Sequence, residues 1–249
     1  MHHHKIFDAI KSELLKYDHT SILNQYADYP HLDLEIFGTL GRHRREFTTS
    51  VEMINTLREH IMQSNLVLTE DQYYWIINIW GGIGSFKRSQ KNTARISKFL
   101  YSLHSNRLTT DLFSVISSLS KIGSFSDAEN YFVYDSRTVY TFNWLILKAD
   151  IAEPRFFPMP DSRNAKLKLF DLNTIIALKY KDRILQIPNN YSITPLLFTR
   201  DQAYFTYCKL IKYLHQYVLI EQPIWTVEML LFSMADHQIF KEVQGIKLV

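Results

Sequence analysis

Cysteine is nearly absent from this 249-residue chain, and Cys208 stands alone. A single thiol builds neither a disulfide framework nor a cysteine-based metal site, so a reducing, cytoplasmic compartment fits. Glycine and proline are scarce, at seven residues each, which leaves few tight turns and favours helix. No apolar run reaches the roughly 18 residues of a membrane-spanning helix. Neither a transmembrane helix nor a signal peptide is therefore expected. Neither sign of charge dominates: 28 Lys and Arg oppose 25 Asp and Glu. The net charge of +3 permits a polyanionic partner without demanding one.

Several catalytic signatures are also missing. The chain has no G-x-S-x-G, no Walker A sequence and no H-E-x-x-H. His60, His104, His215 and His237 are scattered, without metal-ligand spacing. Met1-His2-His3-His4 has the look of a tag remnant and carries no weight as a metal site. No metal and no cofactor are expected.

What is present is a globular composition, 46% hydrophobic and 21% charged. The length allows one large domain or two small lobes. Tyr (15) and Phe (16) are abundant; such rings fill cores and also stack on bases. Apolar periodicity predicts an all-α fold of about ten helices with hardly any strand. Helices are expected over 4–17 and 20–28, from Thr49 or Ser50 to Gln63, and from Thr69 with Glu70 and Asp71 in the first turn. Others are expected over Thr93–His104, from Thr109 or Thr110 to residue 125, over "DLNTIIALKYK", and over 199–219 and 223–241. Residues 28–48, 151–169 and "ILQIPNNYSITPL" read as irregular.

The helix over 110–125 carries an apolar stripe of Leu112, Ile116, Leu119 and Ile122. The opposite face holds Ser114, Ser117, Lys121 and Ser124. A serine-walled face of this kind is either a solvated surface or a place where a ligand approaches closely with Lys121 reaching toward it. The next segment, "YFVYD", favours extended backbone. Asp135 ends it, at the N-cap position of a helix with Val139, Phe142 and Ile146 on one stripe.

These residues carry a resemblance. A helix, a short turn, an apolar "F-V-Y-D-S-R-T-V" step and a further helix look like the catalytic segment of the helix–hairpin–helix DNA glycosylase superfamily, which reads much like A-V-D-T-H-V. More closely, "SLSKIGSFSDAENYFVYDSRTVYTFNWLI" is similar to bacterial proteins described as 8-oxoguanine-DNA-glycosylase-like, often found beside phage-defence genes. The late stretch "DQAYFTYCKLIKYL…PIWTVEMLLFSMA" resembles that family's closing helices. The resemblance covers roughly residues 110–147 and 199–235. It implies a glycosylase-like helical domain spanning the whole chain. Its central lobe would lie near 50–147, and a second lobe would be built from 1–49 and 148–249.

The resemblance further implies a DNA glycosylase with AP-lyase chemistry acting on an oxidised or modified purine. Asp135 takes the position of the catalytic aspartate, and Lys121 that of the Schiff-base lysine. DNA is the implied partner, or else a modified nucleotide or RNA. A catalytically degenerate version would instead bind nucleic acid, a nucleotide or a protein partner from a defence operon. The sequence also departs from the superfamily. No L-P-G-V-G-x-K hairpin glycines precede Lys121, and Lys121 lies several residues closer to Asp135 than the superfamily's pair does. Ser117 then falls near the usual position of the nucleophile.

Further candidates surround this pair. "GGIG" at 81–84, with Gly82 and Gly84, is either a helix C-cap or a backbone cradle for a phosphate. Lys87, Arg88, Lys91 and Arg95, like Arg42, Arg44 and Arg45, form a solvated basic face or grip phosphates. Arg137 is placed to pair with Asp135 or to touch a phosphate, and Ser124 extends the serine face toward the substrate. In the last helix Trp225 and Phe232 read as core that can also help shape a base pocket. Glu228, on the same face, requires a partner if it is buried.

Overall fold

The computed structural model describes residues 2–24, 34–38, 50–64, 66–161, 164–187 and 192–246. Arg42, Arg44 and Arg45 lie outside these residues. The described chain is all helical. Its only β-type pairing is an isolated parallel bridge between Phe156 and Leu197. No helix among the described residues is long and apolar enough to cross a membrane.

Two short helices come first, α1 (His2–Leu14) and α2 (His19–Asn24). They are followed by α3 (Ser50–Gln63), whose inward stripe is Met53, Ile54, Leu57 and Ile61. Helix α4 (Glu70–Trp75) opens with the reciprocal capping box between Thr69 and Gln72, satisfying two N–H groups that a helix start otherwise leaves unpaired. It runs into a π-helical turn, Ile76–Trp80. Helix α5 (Gln90–Ser105) starts earlier than periodicity indicates, because the Ser89 hydroxyl accepts from Asn92 N–H and caps it.

The expected helix over 110–125 is two helices, α6 (Thr110–Ser114) and α7 (Ile116–Ser126). Val115, at φ −122°, breaks the ladder between them. Helix α8 (Ser136–Lys148) follows Asp135. Three short helices, α9 (Ala165–Leu169), α10 (Leu172–Lys179) and α11 (Lys181–Leu185), precede the long α12 (Arg200–His215). Helix α13 (Thr226–Met234) passes through a second π turn, Ala235–Ile239, into α14 (Phe240–Gln244). Pro223 lies just before α13 rather than in its first turn; its carbonyl accepts from Thr226 N–H.

Helix α8 is central. Every residue from Thr138 to Leu147 is buried, and the helix packs against α1, α13, α10 and the second π turn. Burying its large apolar side chains contributes roughly 1.5–3 kcal/mol each. The buried polar residues Thr138, Thr141 and Asn143 of α8 all have partners. Asn143 exchanges two 2.8 Å hydrogen bonds with the backbone of Phe157, and Thr141 donates to the Leu231 carbonyl. Helix α7, buried along most of its length, packs against α5, α3, α6 and the first π turn.

The "YFVYD" segment forms no helix and joins no sheet, and its last residue, Asp135, is extended. Its buried backbone groups are satisfied by side chains instead. Tyr134 N–H donates to Ser120 Oγ, and Val133 N–H donates to Glu228 Oε2. The Val133 carbonyl accepts from Tyr207 and Thr138. Side chains from α7, α8, α12 and α13 thereby fix the approach to Asp135.

Candidate functional site

Asp135 is the N-cap of α8. Its Oδ1 accepts from Arg137 N–H at 2.9 Å and Thr138 N–H at 3.0 Å, while Thr138 Oγ1 accepts from Asp135 N–H. Both cap bonds use Oδ1. Among the described residues Oδ2 has no hydrogen-bond partner, and Asp135 is half-buried.

Lys121 is only 6% exposed. The face that reads as solvated in the sequence is therefore largely interior: Ser124 is fully buried, Ser117 half-buried, and only Ser114 is exposed. The Lys121 stem lies against Gly81. A Cβ at position 81 would sit 2.4 Å from Lys121 Cδ and 2.7 Å from Cε. The ammonium lies 5.3 Å from the centroid of the Trp80 ring. The first π turn thus supplies both the missing side chain and the aromatic wall. Lys121 Nζ makes no hydrogen bond or ion pair among the described residues.

Burial pushes the Lys121 amine below the ordinary lysine value. Asp135 and Glu228 oppose that shift, and Arg137 and Arg58 add to it. The amine therefore gives up its proton more readily than a surface lysine does.

Lys121 and Asp135 line one cleft of about 690 Å³, together with Gly81, Gly82, Ser114, Ser117, Arg95, Arg137 and Asn164. That volume lies in the range of small-molecule sites. The two residues also line an adjoining cavity of about 150 Å³, walled by Trp80, Phe232, Met229 and Glu228. Ser117 Oγ is buried and has no hydrogen-bond partner among the described residues.

The other candidates separate. Arg137 does not pair with the Asp135 carboxylate: its Nε donates to Asp236 at 2.5 Å, and its guanidinium lies 4.5 Å from the centroid of the Phe232 ring. Asn164 donates to the second oxygen of Asp236. Arg88 pairs with Asp71 and Glu70, and Arg95 with Asp111. Lys87 and Lys91 are exposed and outside the lining of the cleft.

In the glycine cluster, Gly82 lines the cleft and Gly84 does not. The N–H groups of Gly81 and Ile83 are committed to the Ile76 and Ile77 carbonyls of the π turn, so these two cannot cradle a phosphate. Gly82 has φ +63°, the left-handed region that suits glycine. Trp225 is buried core, with its Nε1 donating to Asn55. Phe232, half-buried, walls the small cavity instead. The Cys208 thiol is buried and pushed up to about 12 by desolvation, which disqualifies it as a nucleophile.

Glu228 is buried, and its partner is Arg58, a residue outside the candidates drawn from the sequence. Arg58 Nη2 donates to Glu228 Oε1 at 2.6 Å and to Ser124 Oγ at 3.0 Å. The guanidinium lies between the rings of Phe125 and Trp225. The signal was available: Arg58 occupies the i+4 position of the Ile54, Leu57, Ile61 stripe, where a charge faces inward. Among the described residues no group of three or more His, Cys, Asp or Glu could hold a metal ion. Comparison with protein-family models, with curated proteins and with solved structures finds no match for this chain.

Proposed function

We propose that the protein is a DNA N-glycosylase with β-lyase activity on an oxidised or modified purine of the 8-oxoguanine kind, with a glycosylase-like arrangement of two helical lobes around the cleft. The observation that carries this reading is the convergence of Lys121 and Asp135 on one cleft, from two different helices. Burial lowers the proton affinity of the Lys121 amine, which favours the free base that a nucleophile requires. A carboxylate oxygen without a partner can stabilise a positively charged sugar as the base departs.

The steps follow from those two groups. The neutral Lys121 amine forms a bond to C1′ as the N-glycosidic bond breaks, and the bonding electrons leave with the base, which takes up a proton. Ring opening gives a Schiff base on Lys121. Loss of the C2′ proton then expels the 3′ phosphate and cuts the strand. The target base must first leave the stack, at a cost of a few kcal/mol. The 150 Å³ cavity beside Lys121, with Trp80, Phe232 and Glu228 in its lining, is the proposed site for it.

One observation favours a second reading. Arg88, Arg95 and Arg137 are each paired with carboxylates, so few cations remain near the cleft to hold a DNA backbone. On that reading the chain is a degenerate glycosylase fold that binds a nucleic acid, a nucleotide or a protein partner. Incubation with a duplex containing 8-oxoguanine separates the two. The enzyme reading expects free base by chromatography and a strand break on gels, both lost in Asp135→Asn and in Lys121→Gln. Binding without base release overturns it in favour of the second reading.

A further inference from the structure

Beyond a place for Glu228 in the wall of the small cavity, the proposed chemistry gives Arg58 and Glu228 no role, although they form the most deeply buried ion pair among the described residues, with side chains 0% and 5% exposed. A buried pair of this kind is seldom worth more than apolar residues of the same volume. Its contacts run to both residues of the candidate site. Arg58 donates to Ser124 Oγ, and Ser124 Oγ donates in turn to the Lys121 carbonyl at 2.9 Å. On the other side, Glu228 Oε2 accepts from the N–H of Val133, two residues before Asp135. One continuous chain of hydrogen bonds thus joins the backbone of Lys121 to the strand-like segment that carries Asp135.

We infer that Arg58 and Glu228 are positioning residues: the pair holds Lys121 and Asp135 facing across the cleft and balances the charge around the Lys121 amine. The role in catalysis rests on the glycosylase reading; the effect on Lys121 does not. The charged groups around Nζ are Asp135, Glu228, Arg137 and Arg58, and the Trp80 ring completes its surroundings. Glu228 favours the ammonium and Arg58 the free amine. Removing one or the other must move the titration of Lys121 in opposite directions, whereas loosened packing has no such sign.

Competitive acetylation of the whole protein with acetic anhydride across pH, read at Lys121 by peptide mass spectrometry, tests this without any substrate. Glu228→Gln keeps an acceptor for Val133 N–H but removes the charge, so the midpoint of Lys121 labelling falls to lower pH. In Arg58→Met the midpoint rises. Midpoints that stay at the wild-type value, or move together, overturn the inference. If Arg58→Met does not fold, Arg58→Met with Glu228→Leu takes its place. Borohydride trapping on an abasic duplex then drops about 100-fold in this folded double variant, the scale expected for misplacing a reacting group. Wild-type trapping in the double variant overturns the positioning role. No trapping in the wild type counts against the glycosylase reading alone, and the labelling midpoints still decide the positioning claim.

Discussion

Gly81→Ala is the sharpest perturbation of the candidate site that adds only a methyl group. The new Cβ would lie 2.4 Å from Lys121 Cδ and 2.7 Å from the Ile77 carbonyl oxygen, closer than carbon contacts allow. The Lys121 stem can swing away, but the carbonyl belongs to the π turn and can retreat only by opening it. Overpacking of this kind costs about 1–3 kcal/mol. Two neighbouring glycines serve as controls. Gly84→Ala meets nothing within 4 Å and should stay within about 0.5 kcal/mol of wild type. Gly82→Ala also meets open space, but its φ of +63° costs an alanine roughly 1–2 kcal/mol. Urea denaturation gives the three stabilities, and acetylation of Lys121 reports whether its amine has left the shelter of Trp80. Stability should fall in both Gly81→Ala and Gly82→Ala, but Lys121 labelling should quicken in Gly81→Ala alone. If Gly81→Ala matches Gly84→Ala in both assays, Lys121 does not pack on the glycine turn and the site geometry is wrong.

Three further outcomes follow. Asp135→Ala removes the cap and should cost about 1 kcal/mol, whereas Asp135→Asn keeps a capping oxygen and most of that stability; base-release activity lost in a fully stable Asp135→Asn separates catalysis from capping. Glu228→Leu strands a buried guanidinium and should cost about 3–5 kcal/mol in denaturant, and adding Arg58→Met should recover all but the roughly 1–3 kcal/mol of the unsatisfied Val133 N–H; a double variant as unstable as the single one refutes the pairing. Glu242 is pushed up by burial but held below its ordinary 4.5 by hydrogen bonds from Trp144, Tyr17 and Lys148. Its contribution is therefore present above pH 4.5 and lost as pH falls through the lower folded value, so Glu242→Gln should flatten the acid side of a stability–pH curve.

Much of the helical layout is legible in the sequence because it is written in local chemistry. Thr69 and Gln72 form their capping box, and Asp135 caps α8, where side-chain oxygens sit one turn ahead of N–H groups. The break at Val115 and the π turn at Ile76–Trp80 carry no such mark. Tertiary packing sets both, and both shape the cleft. The serine face of α7 misleads for the same reason: small polar residues suit a wet surface and a close helix contact equally well. Lys121 and Asp135 are found from the sequence through resemblance, and their convergence on one cleft is a fact of three-dimensional packing that spacing alone does not contain. Arg137 next to Asp135 suggests a pair, yet Asp236, some 99 positions away, takes it.

On the glycosylase reading Lys121 is a nucleophile aimed at a sugar beside Asp135. Borohydride reduction in the presence of a duplex carrying 8-oxoguanine, followed by peptide mapping, tests it most directly. The expected result is a covalent DNA adduct on Lys121 that disappears in Lys121→Gln and in Asp135→Asn. An adduct mapped to another residue, or none while the duplex is bound, would contradict it.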